Sequence, residues 1–148
     1  MGKGFVHNEL AKKNEVHTDH LPRIMEQTLE TAAGVGGMLS IENDSNYDRL
    51  ITRLMLRRVT ASGSTLTCDA GVAQTSTTNS DNLLDGVSLN TTGMADSCVD
   101  NGTNGRGSAI WARDTFLNIS GNTDPSTMAF VGTAYIEYIR LLGPNTRF

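Results

Sequence analysis

The run of residues 128–142, MAFVGTAYIEYIRLL, restricts the fold of this chain more than any other segment. Side chains of a β-strand point alternately to its two faces, and both faces of this run are largely apolar or aromatic. Such a pattern is typical of a strand in the interior of a sheet. It predicts that Tyr135 and Ile139 lie in the core.

Glu137 is the exception on the face that carries Tyr135 and Ile139. A buried carboxylate without a partner carries a large desolvation cost. We therefore expect Glu137 to be paired with an arginine such as Arg53 or Arg57, or to lie at a subunit interface.

Other short apolar runs have the sequence pattern of β-strands. Residues 65–73 and 115–120 are predicted strands, and residues 34–41 are a further candidate. Residues 49–60 also fit a helical spacing, but we assign them to a strand. Short strands joined by turn-rich segments predict a mostly β fold, with a β-sandwich or a jelly-roll-like body.

The composition of the chain changes near the glycines of residues 34–37. All three lysines and all three histidines precede this point, whereas Thr, Ser, Asn, Asp and Gly dominate after it. We therefore predict an extended N-terminal arm over residues 1–33, which makes inter-subunit contacts, and a body over residues 34–148.

Within the arm, residues 21–33 have the features of a short amphipathic helix. A proline near the start suits the first helical turn, and glycines follow the end. Ile24, Met25 and Leu29 fall at helical spacing and form an apolar stripe that needs a covering surface. These three residues are predicted interface residues.

Residues 74–108 form a polar segment longer than most loops of compact domains. The segment contains Leu83, Leu84, Val87 and Leu89, so we expect it to fold back on the sheet. Because such loops make the specific contacts of a structural module, Leu83, Leu84 and Val87 are predicted interface residues.

Trp111 is the single tryptophan of the chain, and it stands between Ile110 and Arg113. Stacking on a sugar or on a cation is one interpretation. A core or interface anchor is the interpretation we prefer, because a lone tryptophan usually fills space. Trp111 therefore joins the predicted interface residues.

Charge and composition exclude several classes of protein. The net charge is −4, and the twelve Lys and Arg residues are mostly scattered, so we expect no nucleic-acid partner. No apolar run reaches the length of a membrane span, and residues 1–20 lack the apolar region of a signal peptide. We expect synthesis in a cytoplasm, where a bridge between Cys68 and Cys98 is disfavoured.

No group of residues has the spacing of a catalytic or metal site. His17 and His20 lack a third ligand, and no histidine of the body could act as the base of a serine or cysteine nucleophile. Four aspartates do not match a calcium-loop motif and fit turn formation better. We predict no enzyme activity and no cofactor. The aspartates are Asp81, Asp85, Asp96 and Asp100.

Four motifs in order resemble a family of small structural proteins, the head decoration or cement proteins of tailed bacteriophages. They are L-x-x-D-x-G-V-A at residues 66–73, D-N-L-[LI]-D-G at residues 81–86, N-G-T-N-G at residues 101–105 and G-x-A-Y-I-x-Y-I at residues 132–139. The resemblance covers residues 66–142 and leaves the arm out.

This resemblance implies a β-sandwich-like body that sits on a capsid lattice, often as a homotrimer. The expected function is a structural virion protein that binds the major capsid protein and its own copies, located at the capsid surface. The alternative is a receptor- or glycan-binding β-sandwich module of a tail fibre or spike. A low aromatic content of 5% disfavours that alternative.

Overall fold

The computed structural model describes residues 21–30, 37–62, 66–121 and 130–141. These residues form strands, turns and bends but no helix, and among them nothing has the helical length and apolarity that crossing a bilayer requires. The strands of the described part are β1 (Arg23–Glu30), β2 (Gly37–Glu42), β3 (Asp48–Thr60), β4 (Thr67–Ala73), β5 (Leu84–Ser88), β6 (Gly93–Asp96), β7 (Ala109–Trp111), β8 (Phe116–Gly121) and β9 (Val131–Leu141).

The strands form two antiparallel sheets. Sheet A has five strands in the order β1-β9-β3-β6, and β7 also pairs with β3. Sheet B has four strands in the order β2-β8-β4-β5. Neither sheet follows chain order, so each is assembled from segments that are distant in the sequence. The prediction of a mostly β fold is confirmed.

One hydrophobic core joins the two sheets. Side chains from the inner faces of both sheets contribute to a single cluster of buried residues. Its largest members with relative exposure below 2% are Trp111, Phe130, Leu29, Ile51, Leu54, Leu56, Leu66, Leu83, Leu84, Leu89, Leu117 and Ile119.

Strand β9 lies between β1 and β3, as its apolar sequence predicts for an interior strand. Only one of its faces reaches the core, where Ala134 and Ile136 are fully buried. Tyr135 and Ile139 lie on the opposite face and are half-buried. The prediction that they belong to the core is therefore wrong, because no second layer of the described chain covers that face.

The other strand predictions agree well with the structure. The ambiguous run of residues 49–60 is β3, and the predicted strands over 65–73 and 115–120 are β4 and β8. The candidate over residues 34–41 corresponds to β2. The long central segment folds back on the sheets as expected, and it contains the short strands β5 and β6, which the sequence did not reveal.

The helix predicted over residues 21–33 is wrong for the residues that the structure describes. Residues 23–30 form β1, which pairs along its whole length with β9, from Arg23 opposite Tyr138 to Glu30 opposite Val131. A neighbouring strand that offers a complete hydrogen-bonding ladder overrides a weak helical preference. This part of the predicted arm thus belongs to sheet A, and residues 1–20 and 31–36 lie outside the described residues.

Candidate interaction surface

The outward side of sheet A presents a broad, partly apolar surface, which we call face A. It is formed by the side chains of β1, β9, β3, β6 and β7 that point away from the core. In each strand these residues alternate with the buried ones, and they lie opposite one another in the pairing of neighbouring strands. Its central strands are β9 and β3.

Face A carries most of the exposed apolar side chains of the described residues. Seven large hydrophobic residues of this part of the chain are exposed, and five of them project from face A. Isolated exposed apolar residues are common on protein surfaces, whereas a contiguous apolar patch is typical of an interaction site. The five are Ile24 at 63%, Val59 at 51%, Met94 at 48%, Ile110 at 60% and Val131 at 41%.

Further apolar side chains fill the middle of face A. Leu50 pairs with both Ile110 and Ile139, and Met55 pairs with Tyr135. Leu50, Met55, Tyr135 and Ile139 are all half-buried. The apolar residues therefore form continuous rows across neighbouring strands.

Face A also carries charged side chains, which lie in several rows: Glu26, Arg53, Arg57, Asp96 and Glu137. Arg53 forms an ion pair with Asp96, and its Nε is 2.8 Å from the Oδ2 atom of Asp96. The hydrogen bond from Arg53 lowers the pKa of Asp96, and the same contact raises the pKa of Arg53. The Arg53 side chain is 44% exposed and the Asp96 side chain 13%, so the pair lies at the surface with its carboxylate mostly covered.

Glu137 lies opposite Arg53 in the register of β9 and β3. Its Oε1 accepts a hydrogen bond from the Oγ1 atom of Thr52 at 2.7 Å. A register shift between Ile51 and Arg53 brings Thr52 into reach of this carboxylate. The expected arginine partner is thus a neighbour of Glu137, while its direct hydrogen-bond partner is a threonine that the sequence did not suggest.

The outer side of sheet B, which we call face B, is polar and is covered by the chain itself. The Nδ2 atom of Asn118 donates hydrogen bonds of 2.8 Å to the backbone oxygens of Thr75 and Thr78. Gly71 lies so close to this segment that an added Cβ atom would collide with the Oδ1 atom of Asn82. The segment over residues 74–83 therefore covers the part of face B around Gly71 and Asn118.

Asn82 fixes this covering segment to β4. Its Oδ1 atom accepts a hydrogen bond from the backbone nitrogen of Val72 at 2.9 Å, and its Nδ2 atom donates one to the oxygen of Val72 at 3.1 Å. An asparagine amide used in this way replaces a neighbouring strand. The covering segment is therefore held by defined contacts.

Two of the four motifs described above contact each other directly. The backbone nitrogen of Asn104 donates to Asp85, and its side-chain amide donates to Asp81, both at 3.0 Å. The nitrogen of Asp85 donates to the oxygen of Asn101 at 3.0 Å. These aspartates shape turns, as their sequence context predicts.

The first motif is joined to the same unit, because Asp69 accepts a hydrogen bond of 2.8 Å from the backbone nitrogen of Gly86. Gly86 and Gly102 both have positive φ angles, which glycine adopts without strain. Residues 81–86 and 101–105 therefore build one interlocked loop region, and Asp69 of β4 connects it to sheet B.

Most of the predicted interface residues lie in the core and not on a surface. Leu29, Leu83, Leu84 and Trp111 have no exposed area, and 8% of Val87 is exposed. A side chain that is fully buried within its own chain cannot contact a partner in this conformation, so the structure assigns these five residues to packing. Met25 is half-buried against the core. Ile24 is the predicted residue that is openly exposed, and it lies on face A.

Trp111 is buried in the core, and the guanidinium group of Arg49 lies over its ring. The guanidinium carbon of Arg49 lies 4.9 Å from the ring centre of Trp111 and 4.9 Å from that of Tyr138. Arg49 is itself buried, with 8% exposure, and its Nε has no hydrogen-bond partner among the described residues. Trp111 therefore offers no ring face to a sugar, and cation–π contacts hold Arg49 in place.

The titratable groups of the described residues are dispersed. No three or more His, Cys, Asp and Glu side chains of this part lie close enough together to hold a metal ion. Cys68 is buried and Cys98 is exposed, and both thiols are free. Burial raises the pKa of Cys68 to about 12, which removes its reactivity near neutral pH.

Comparison of the chain with protein-family models, with curated protein sequences and with solved structures finds no match. The candidate function thus depends on the surfaces described above and on the motifs of the sequence.

Proposed function

We propose that this chain is a structural virion protein that decorates and stabilises the head of a tailed bacteriophage. In this proposal its two sheets form a β-sandwich body, its partners are the major capsid protein and further copies of itself, and it acts without catalysis or cofactor. The single observation that carries the proposal is face A, a sheet surface whose apolar side chains are left uncovered by the described chain.

The character of face A fits a contact with another protein. Interfaces combine an apolar centre with a limited number of charged groups, and exposed apolar patches that exceed a few hundred Å² are uncommon on monomers without such a role. Face A has apolar side chains on each of its strands, interspersed with charged residues such as Arg53 and Glu137. Its residues have the composition that burial at an interface favours.

The four motifs that resemble those of phage decoration proteins support the same proposal from the sequence side. Residues 132–139 form most of β9, the central strand of sheet A, and residues 66–73 form most of β4 in sheet B. The motifs at residues 81–86 and 101–105 build the interlocked loop region. The four motifs therefore include one long strand of each sheet and the two loops that contact each other.

Stabilisation of a shell by such a protein follows from mass action. A protein that binds the assembled shell but not the free subunits shifts the equilibrium toward the shell. Because a head offers many equivalent sites, a modest affinity at each site gives a large total effect. The homotrimer implied by the resemblance would add avidity, and residues 1–20 would extend the contact area.

The test is binding of the purified full chain to phage heads that lack it. We expect the chain to sediment with the heads in a saturable way and to raise the temperature at which they release DNA. A variant Ile110→Lys places a charge on face A and should reduce occupancy at saturation. The matched control is Thr77→Lys, which adds the same charge to an exposed residue of the segment over face B.

Two results would overturn the proposal. The first is an absence of sedimentation with heads at any concentration of a correctly folded chain. The second is saturable binding to isolated glycans or host surfaces, which would support the tail-fibre alternative. A shorter chain that starts at residue 21 tests the arm separately, since it keeps all of β1.

A further inference from the structure

We infer that Arg49 binds an Asp or Glu carboxylate of a partner protein. Arg49 is the second residue of β3 and belongs to the inner face of sheet A, where it lies among aromatic rings. The site itself is argued from this chain alone. The protein that supplies the carboxylate is the one that the chain decorates, so this part of the inference rests on the proposed function.

Arg49 is a buried cation that has no anion beside it among the described residues. Its exposure is 8%, and within the described part of the chain its Nε is buried without a hydrogen-bond partner. The ion pair that these residues do form joins Arg53 to Asp96 on the other side of the sheet. Burial of a charge without an opposite charge is costly, and contacts with aromatic rings offset only part of that cost. A bound carboxylate would remove the remainder.

The terminal nitrogens of Arg49 remain available to a ligand. The guanidinium carbon lies 4.9 Å from the ring centres of Trp111 and Tyr138 and 6.0 Å from that of Tyr47. No described residue accepts a hydrogen bond from Nη1 or Nη2, and neither atom is among the buried nitrogens that lack a partner, so both contact the solvent. These two nitrogens carry most of the donors with which arginine binds a carboxylate.

Hydrogen bonds hold the aromatic surroundings of Arg49 in place. Asn43 is fully buried, and its Nδ2 atom donates to the backbone oxygens of Trp111 at 2.8 Å and Tyr47 at 3.2 Å. The indole Nε1 of Trp111 donates to the backbone oxygen of Thr115 at 3.1 Å. A cation that is already positioned loses little conformational freedom when a ligand arrives. The site is therefore preorganised for binding.

Two further arginines make the surroundings of Arg49 more positive. Arg140 is directly opposite Arg49 in the ladder of β9 and β3, and its guanidinium carbon lies 4.5 Å from the ring centre of Tyr47. Arg23 is opposite Tyr138 in the ladder of β1 and β9. Like charges opposite each other destabilise a sheet, whereas an anion between them is attracted by all of them. The arrangement therefore favours a bound anion.

The anion that fits this site is a single carboxylate of a protein. Nucleic acids are bound by positive charges spread along a surface, whereas this chain has a net charge of −4 and its Arg53 and Arg57 lie on the opposite side of sheet A. The small exposure of Arg49 leaves access to one small group, and the planar carboxylate matches the planar fork of a guanidinium. Arginine is enriched at protein interfaces for this reason.

Fluorescence of Trp111, the single tryptophan of the chain, tests the site directly because Arg49 lies over its ring. The full chain is titrated with sodium acetate at constant ionic strength, with chloride as the replaced anion. We expect a saturable change in emission, which Arg49→Met should abolish. Arg49→Lys keeps the charge but not the fork, so it should bind acetate at least about tenfold more weakly. Arg106→Met, at an exposed loop residue, is the matched control and should respond like the wild type.

The melting temperature and the binding to heads separate a binding role of Arg49 from a structural one. Without its partner, Arg49→Met loses a buried charge and keeps a similar volume, so it should melt at the same temperature as the wild type or higher. It should nevertheless bind heads at least about tenfold more weakly than the Arg106→Met control.

Several results would overturn the inference. They are a wild-type emission that does not respond to acetate, a stronger response to inorganic phosphate than to acetate, and a lower melting temperature of Arg49→Met with unchanged binding to heads. A response to acetate together with unchanged head binding would identify a free carboxylate as the ligand and overturn the protein partner. If the wild type itself did not bind heads, the proposed function would fail, and the acetate titration would still decide whether Arg49 binds a carboxylate.

Discussion

Face A and face B are the outer surfaces of two sheets that share one core, yet they differ in how far the described residues cover them. Face B has polar groups such as Asn118 and a glycine at position 71, and the segment over residues 74–83 covers part of it. Face A has apolar residues such as Ile24 and Ile110, and no described segment covers it. The difference is that residues 74–83 cover part of face B, whereas face A is uncovered among the described residues and is therefore the surface that the proposed function uses.

The largest effect that bears on this comparison concerns the two sides of β9. Ile136 is fully buried, so Ile136→Ala should lower the free energy of unfolding by about 2–5 kcal/mol through loss of contacts and cavity formation. Ile139→Ala on face A should cost less than about 1 kcal/mol in the monomer, because Ile139 is half-buried. Urea unfolding of dilute protein measures both. Equal losses would show that face A is covered after all.

A smaller loss is expected where face B is covered. Gly71→Ala brings a methyl group against Asn82 and Ser80 and should displace the covering segment, at a cost of about 1–3 kcal/mol. Gly37→Ala is the matched control, because an added Cβ atom there has no neighbour within 4 Å. Thermal unfolding of the two variants compares them. If Gly71→Ala were as stable as the control, the covering segment would not be closely packed.

The hydrogen bonds that hold the covering segment should contribute somewhat less. Asn118→Ala removes both donors to the oxygens of Thr75 and Thr78 and should cost about 1–2 kcal/mol. Proteolysis of the native protein should then begin within residues 74–83, because the segment has lost its anchor. Cleavage elsewhere, at an unchanged rate, would mean that Asn82 holds the segment alone.

The smallest effect is expected from the charges of face A, which remain accessible to solvent. Arg53 lowers the pKa of Asp96, so the ionised carboxylate contributes stability above its unfolded pKa near 3.8. That contribution is lost as the pH falls through the lower pKa of the folded protein. When the pH is lowered from 5 into the acid range, the free energy of unfolding should therefore fall slightly less for Asp96→Asn than for the wild type. A large difference between the two proteins would indicate that Arg53 and Asp96 are more deeply buried.

The reactivity of the thiols provides an independent check on the core. Cys98 should react with a thiol reagent in the native protein, whereas Cys68 should react only after unfolding, because burial raises its pKa to about 12. Mass spectrometry before and after denaturation counts the modified sites. Two modified thiols in the native protein would show that the core opens readily.

The sequence by itself determined the β class of this protein and most of its long strands. Alternation with period two, β-branched and aromatic residues, and turn-forming clusters are local properties, and they located β3, β4, β8 and β9 correctly. The aspartates of the loop region were also interpreted correctly as turn formers, because Asp and Asn act on their own neighbouring backbone.

Only the tertiary structure decided which apolar residues are buried. Both faces of β9 look alike in the sequence, and the position of sheet B on one side alone assigns Ile136 to the core and Ile139 to face A. The same applies to Arg49, whose burial depends on rings contributed by distant strands. Residues 23–30 show the strongest case. Their spacing suits a helix, but the free edge of β9 provides backbone partners that a local pattern does not contain. Burial and strand pairing are properties of segments far apart in the chain, so no local reading could supply them.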